Sequence, residues 1–219
     1  MNLKNFSSKM PKNEIKTIIF DLGGVYFTSG THLTLIKLNE KYHINDWESL
    51  VSFFNSDPDT EGGLLRLGLI SMDDFERNFF SKFKINENDQ RVIRKIWFSN
   101  YIPYYKMTKI IEMLNKKYRL VAFSGNIQER IEFLESRYNF LNFFHEKLFS
   151  FEYNLSKENP EFYEILLDYI NCKPNEAVLI DDSSDVLKLA RNIGINTILF
   201  SYTEQLLEEF SNFGINLKI

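Results

Sequence analysis

The feature that most constrains this chain is a change of period. From Met107 onward, short apolar runs alternate with helical stripes. Arg119 to Phe123 reads as a strand that stops at Ser124. Leu148 to Phe151 reads as a short strand, Ala177 to Ile180 as one that stops at Asp181 and Asp182, and Thr197 to Phe200 as the last. Between them Met107, Ile110, Ile111 and Leu114 recur at helical spacing, as do Ile127, Ile131, Leu134 and Tyr138. Two further stripes are Phe162, Ile165, Leu166 and Tyr169, then Val186, Leu187, Ala190 and Ile193. One earlier strand, Thr17 to Phe20, ends at Asp21 and runs directly into Gly23 and Gly24. Uniformly apolar runs of this length belong to strands covered on both faces. Such alternation predicts an α/β fold, a doubly wound parallel sheet.

Residues 28–104 break the alternation. They hold helical stripes and no convincing strand: Trp47, Leu50, Val51 and Phe54, then Met72, Phe75, Phe79 and Phe83, then Ile93, Ile96 and Trp97. Ser71 with Asp74 three positions on is a variant capping box. This stretch is too long for a loop, so it is expected to be an inserted helical subdomain with its own apolar core. The predicted core domain is therefore discontinuous, residues 1–27 plus 105–219, with a cap at 28–104. Asn159 and Pro160 open one helix, and Gly194 closes another.

Composition narrows the partners. Apolar residues are 44% and aromatic ones 16%, which argues against disorder. Net charge is −4 and pI about 5.5, so no nucleic-acid partner is expected. The single cysteine, Cys172, forms no internal disulfide and points to a reducing, cytoplasmic location. No apolar run approaches the roughly 18 residues of a membrane span. Residues 1–14 read as a polar tail.

In open parallel sheets, ligands sit beyond the carboxyl ends of strands. Asp21, Ser124 and the pair Asp181 and Asp182 fall there, and Lys157 lies in the segment after another strand. Each alone is a common turn or surface residue. Together they put three carboxylates, a hydroxyl and an ammonium at one crevice. Three crowded carboxylates repel unless a cation joins them, and hard oxygen ligands suit Mg²⁺. A cation beside a lysine and a hydroxyl suits a phosphoryl group, which a free aspartate can attack.

IIFDLGGVYF (18–27), VAFSGN (121–126), SFEYNLSKENPEFY (150–163) and VLIDDSSDVLKLARNIGI (178–195) together resemble, in order and spacing, the four motifs of the haloacid dehalogenase superfamily. The helical insertion resembles the cap of its dehalogenase and epoxide-hydrolase N-terminal phosphatase branch, where LRLGLISMDDF (65–75) has a counterpart. The resemblance implies Asp21 as nucleophile and Mg²⁺ ligand, with the Gly23 carbonyl and Asp182 as further ligands and Asp181 adjacent. It implies phosphate binding by Ser124, Gly125, Asn126 and Lys157, and a small phosphorylated substrate. The chain departs from the family at Gly23, where most phosphatases carry a second aspartate that moves the leaving-group proton. It also departs at Gly125, inserted before Asn126, at Glu158 after Lys157, and at Val186. Those departures leave two other readings open: a catalytically weak binding or regulatory protein on the same fold, and metal-independent carbon–halogen cleavage at Asp21.

Overall fold

The computed structural model describes residues 14–217; the polar tail expected at 1–14 lies almost wholly outside them. Five parallel strands form one sheet in the order β3-β2-β1-β4-β5: β1 (Thr17–Phe20), β2 (Arg119–Ser124), β3 (Glu146–Phe149), β4 (Ala177–Asp181) and β5 (Asn196–Leu199). Every pairing is parallel, and Phe20 stands level with Ala122 on one side and Ile180 on the other.

The pleat divides the strand residues between two cores. Ile18, Phe20, Leu120, Ala122, Val178 and Ile180 join one buried cluster, and Ile19, Val121, Phe123 and Leu179 the other. Helices cover both faces. α6 (Met107–Asn115), α7 (Gln128–Tyr138) and α11 (Thr203–Asn212) pack on the first, α9 (Pro160–Ile170) and α10 (Ser184–Asn192) on the second. Burial of each such Leu, Ile or Phe contributes about 1.5–3 kcal/mol. The apolar runs are continuous because neither face meets water.

Between β1 and α6 the described elements are helices only: α1 (Gly30–Tyr42), α2 (Trp47–Phe54), α3 (Glu61–Arg66), α4 (Met72–Lys82) and α5 (Val92–Ser99). They form a helical cap around an aromatic nucleus. Trp97 stacks on Phe75 at 5.4 Å between centroids and meets Phe54 edge-on at 4.7 Å. The capping box at Ser71 and Asp74 forms, and Asn159 caps α9. The stripe on α2 is rotated from its expected face: Leu50, Phe53 and Phe54 are buried, whereas Trp47 and Val51 are exposed. Where the chain enters and leaves the cap, the Thr28 amide donates to Ile102 O and the Tyr104 amide to Tyr26 O, each at 2.9 Å.

The strand expected at Leu148–Phe151 is corrected at its end. β3 stops at Phe149, and Ser150–Tyr153 turn into a single helical segment, α8. Aromatic content alone gave this stretch strand character, but the Glu152 carboxylate reaches back to the Phe149 amide and starts a helix.

Candidate active site

The sheet delivers two carboxylates as neighbours. Asp21 is the first residue past β1, and its amide donates to Ile180 O at 2.9 Å. Asp181 closes β4, and its carbonyl accepts from the Phe200 amide. One ladder step beyond the Phe20–Ile180 pair, both side chains emerge at the carboxyl edge. Carboxylate oxygens of Asp21, Asp181 and Asp182 lie within 4.8 Å of one another. Lys157 Nζ sits 3.0 Å from Asp21 Oδ1 and donates to Asp181 Oδ2. Asp181 Oδ1 accepts from the Ser183 amide at 2.8 Å. Asp21, Asp181 and Lys157 are buried, while Asp182 is open to solvent on one side.

This electrostatic arrangement is lopsided. Burial pushes the Asp21 carboxyl up to about 6, with Asp181 and Asp182 adding to the rise and Lys157 opposing it. Lost hydration on its inner side and the charge of Asp181 raise Asp182 as well. Burial alone would lower Lys157, but Asp181 and Asp21 hold its ammonium well above the usual lysine range. One ammonium serves three carboxylates. Hard oxygen donors at this spacing fit a divalent cation such as Mg²⁺ and would be relieved by it.

Gly24 lets the first loop approach this cluster. Its φ is +89°, and a Cβ built on it would fall 2.0 Å from Asp182 Oδ2. Gly23 is less confined, since a Cβ there would meet only Tyr101 Cε1, at 3.5 Å.

Ser124 closes β2 and is buried beside the same crevice. Gly125 stands in open space. Asn126 Nδ2 lies 3.5 Å from Ser124 Oγ, and its Oδ1 accepts from the Ile127 amide at 2.9 Å and from Arg130 Nε at 2.7 Å. Asp21, Gly23, Ser124, Gly125, Asn126 and Lys157 all line one cavity of about 290 Å³, together with Asp181 and Asp182. Every position singled out at the strand ends therefore reaches one space. Glu158 also lines it, but makes no ion pair with Lys157 among the described residues.

The sequence reading missed the cap side of this cavity. Arg66, Thr31 and Tyr101 line it, and so does Arg130 from the core. Tyr101 is buried with its hydroxyl 2.9 Å from Thr31 Oγ1 and accepting from Arg130 Nη1 at 3.0 Å. Arg66 and Arg130 sit in amphipathic helices, where an arginine ordinarily marks the wet face. The polar residues that return on the inner side of α3 and α7 are the one signal that could have found them.

The family model described as haloacid dehalogenase-like hydrolase matches residues 18–200. The chain belongs to this family. A relative in sequence is an uncharacterised protein of Dictyostelium discoideum, 31% identical over 173 residues, which span 75% of this chain and 70% of that protein. Among solved structures, a haloacid dehalogenase-family enzyme of Bacteroides thetaiotaomicron, in complex with magnesium and inorganic phosphate, superposes with a TM-score of 0.75 at 20% identity, over 90% of this chain and 99% of that one. The L-2-haloacid dehalogenase of Xanthobacter autotrophicus, with chloropropionic acid covalently bound, superposes with a TM-score of 0.61 at 14% identity, over 93% and 85%. Both share the haloacid dehalogenase-like fold with this chain. No described helix is long and apolar enough to cross a membrane.

Proposed function

We propose that this haloacid dehalogenase-like hydrolase is a Mg²⁺-dependent phosphomonoester hydrolase, acting on a small phosphorylated molecule through an aspartyl-phosphate on Asp21. The observation that carries the reading is the meeting of Asp21, Asp181, Asp182 and Lys157 in one cavity with Ser124. The magnesium and phosphate bound by the Bacteroides enzyme support it. In this reading the cap spans 28–104, and the core spans 1–27 with 105–219.

Asp21, the Gly23 carbonyl and Asp182 hold the Mg²⁺, with Asp181 beside them. When bound, the ion neutralises this anionic cluster and draws charge from the phosphoryl oxygens. Ser124, the Gly125 amide and Asn126 bind phosphoryl oxygens, and Lys157 balances their charge while orienting the Asp21 carboxylate. An Asp21 oxygen attacks phosphorus, and the bond from phosphorus to the alcohol oxygen breaks. The departing alkoxide takes its proton from solvent, because position 23 offers no carboxyl. Water then attacks phosphorus and loses a proton to solvent. The bond to Asp21 breaks, releasing inorganic phosphate and restoring the carboxylate.

The test is phosphate release from a panel of small phosphate esters, with Mg²⁺ or with chelator, by the wild type and Asp21→Asn. Release that needs both Mg²⁺ and Asp21 is the expected result. Equal rates in the two proteins refute the mechanism. A wild type that binds phosphate with Mg²⁺ and turns over nothing refutes it in favour of a binding protein. Halide release in chelator refutes it in favour of a dehalogenase.

A further inference from the structure

We propose that the cavity contains a second anion subsite, formed by Arg66 and Arg130 around Trp97, and that the substrate carries a second acidic group, a carboxylate or another phosphate, in its alcohol portion. The inference rests on the hydrolase reading above and adds the class of substrate.

Two guanidinium groups share this end of the cavity. Arg130, in the first turn of α7, is 2% exposed, and its guanidinium covers the Trp97 ring at 5.3 Å. Arg66, at the end of α3, covers the same ring at 5.5 Å. Neither has a carboxylate within ion-pair distance among the described residues, unlike Lys157, Arg94 and Arg119. Arg66 Nη1 donates to Phe54 O, Asn55 O and Gly62 O, which fixes the guanidinium while leaving its Nε and Nη2 without an acceptor among the described residues. Arg130 Nε is held by Asn126 Oδ1 and Nη1 by the Tyr101 hydroxyl, which leaves Nη2 in the same condition. Burial, then the neighbouring charge of Arg130, pushes Arg66 down to about 10.

Arg130 is buried and Arg66 half-buried at the cavity wall, and two like charges held side by side there repel unless an anion joins them. Two planar forks with unspent N–H groups match the paired oxygens of a carboxylate or phosphate. The positions are rigid. Arg66 is clamped through its own carbonyl, which accepts from Ser150 Oγ at 2.6 Å, and through Leu67 O, which accepts from Asn154 Nδ2 at 2.6 Å.

The sheet order offsets this subsite from the carboxylates, while Asn126 joins Arg130 to the phosphoryl-binding end of β2. The carboxylates follow β1 and β4, whereas Arg130 follows β2, and Arg66 is tied to the residue just after β3. In the order β3-β2-β1-β4 the two charge clusters lie to opposite sides. Their offset is one to two strand spacings, roughly 5–10 Å. Such an offset suits a short metabolite with acids at both ends, which would lie across the cavity with its ester oxygen at Asp21.

The experiment uses the whole protein with Mg²⁺ and calorimetric titration. Its probes are ω-phosphonocarboxylates with two to about four methylenes, alkylphosphonates of matching length, and the corresponding bisphosphonates. Charged hydrogen bonds to two guanidiniums predict that at least one acidic probe binds about tenfold or more tighter than its neutral match. Which of the two acidic series gains more identifies the second group. Arg66→Gln and Arg130→Gln should each collapse the ratio of acidic to neutral affinity towards about one, with Arg66→Lys retaining part of it. Equal affinities in the wild type overturn the proposal without recourse to any variant. So do variants that weaken both probes alike, which would assign the arginines to the phosphoryl group itself, and so does binding of none. Acidic discrimination without phosphate release from any ester sinks the hydrolase reading alone. Release from neutral esters as fast as from acidic ones sinks the subsite alone.

Discussion

Replacing Gly24 with alanine tests the close approach of the first loop to the carboxylates. Real Cβ atoms keep at least 3.0 Å from such neighbours, and a Cβ at this position would lie 2.0 Å from Asp182 Oδ2 and 2.6 Å from its Cγ. The Asp182 oxygen must therefore retreat by at least the difference, 1.0 Å. Metal sites tolerate only about 0.2 Å in ligand distance. An alanine at φ +89° also strains the backbone by about 1–3 kcal/mol, which in a protein of this size lowers the melting temperature by roughly 2–4 °C per kcal/mol. Two effects should thus appear together. Gly24→Ala melts lower without Mg²⁺, and the Mg²⁺ concentration needed to raise its melting temperature increases at least about 10–100-fold. Gly68→Ala separates strain from ligation. It has φ +69°, and a Cβ there would meet Phe151 O at 2.9 Å and none of the three carboxylates, so it should cost stability and leave the Mg²⁺ response unaltered. The assay is thermal unfolding across a Mg²⁺ titration. A Gly24→Ala protein with the wild-type Mg²⁺ response would show that Asp182 does not ligate the ion.

Lys157→Met leaves the buried Asp21 and Asp181 carboxylates without their ammonium, and should cost about 3–5 kcal/mol in urea unfolding of the metal-free protein; an unchanged midpoint contradicts this. Gly23→Asp has room for its Cβ beside Tyr101, and should raise phosphate release by about 10²–10⁴ through leaving-group protonation. A folded Gly23→Asp protein with no gain would mean that the proton already has another route. Glu87 is held down to about 2 by the Tyr42 hydroxyl, then by the Asp89 amide and Lys41. Because its native pKa lies below the ordinary 4.5, the stability it contributes is complete above that pH and lost as the pH falls to about 2. Glu87→Gln should therefore unfold at lower urea than wild type at pH 7 and converge with it near pH 2, so a gap independent of pH would be the contrary result.

The strands and their polar ends were legible because one physical rule produces both. A parallel strand buried on two faces is apolar until it leaves the sheet, and the first polar residues, Asp21, Ser124 and Asp181, mark the edge where ligands bind. The cap helices were legible from period and from the Ser71 box. The end of β3 was not, since Phe149 and Phe151 suit a strand while a side chain three residues away decides the turn. Nor were Trp47 and Val51, whose stripe is apolar although that part of α2 faces solvent. Arg66 and Arg130 were the costliest omission. They lie far apart in the chain, and both reach Trp97 only in the folded molecule, Arg66 from α3 and Arg130 from α7. No local pattern encodes a meeting between a cap residue and a core helix.

The pairing of β1 with β4 has a consequence for tolerance to change. Because Asp21 and Asp181 continue a hydrogen-bonded ladder, the gap between them is gauged by peptide geometry, about 4.8 Å between neighbouring strands. Surrounding side chains can drift, and the cap can be rewritten, without resizing that gap. The same gauge is brittle in one direction. A single residue inserted into β1 ahead of Asp21 would turn its carboxylate to the opposite face, dismantling the cluster while every charged side chain in the molecule remained present.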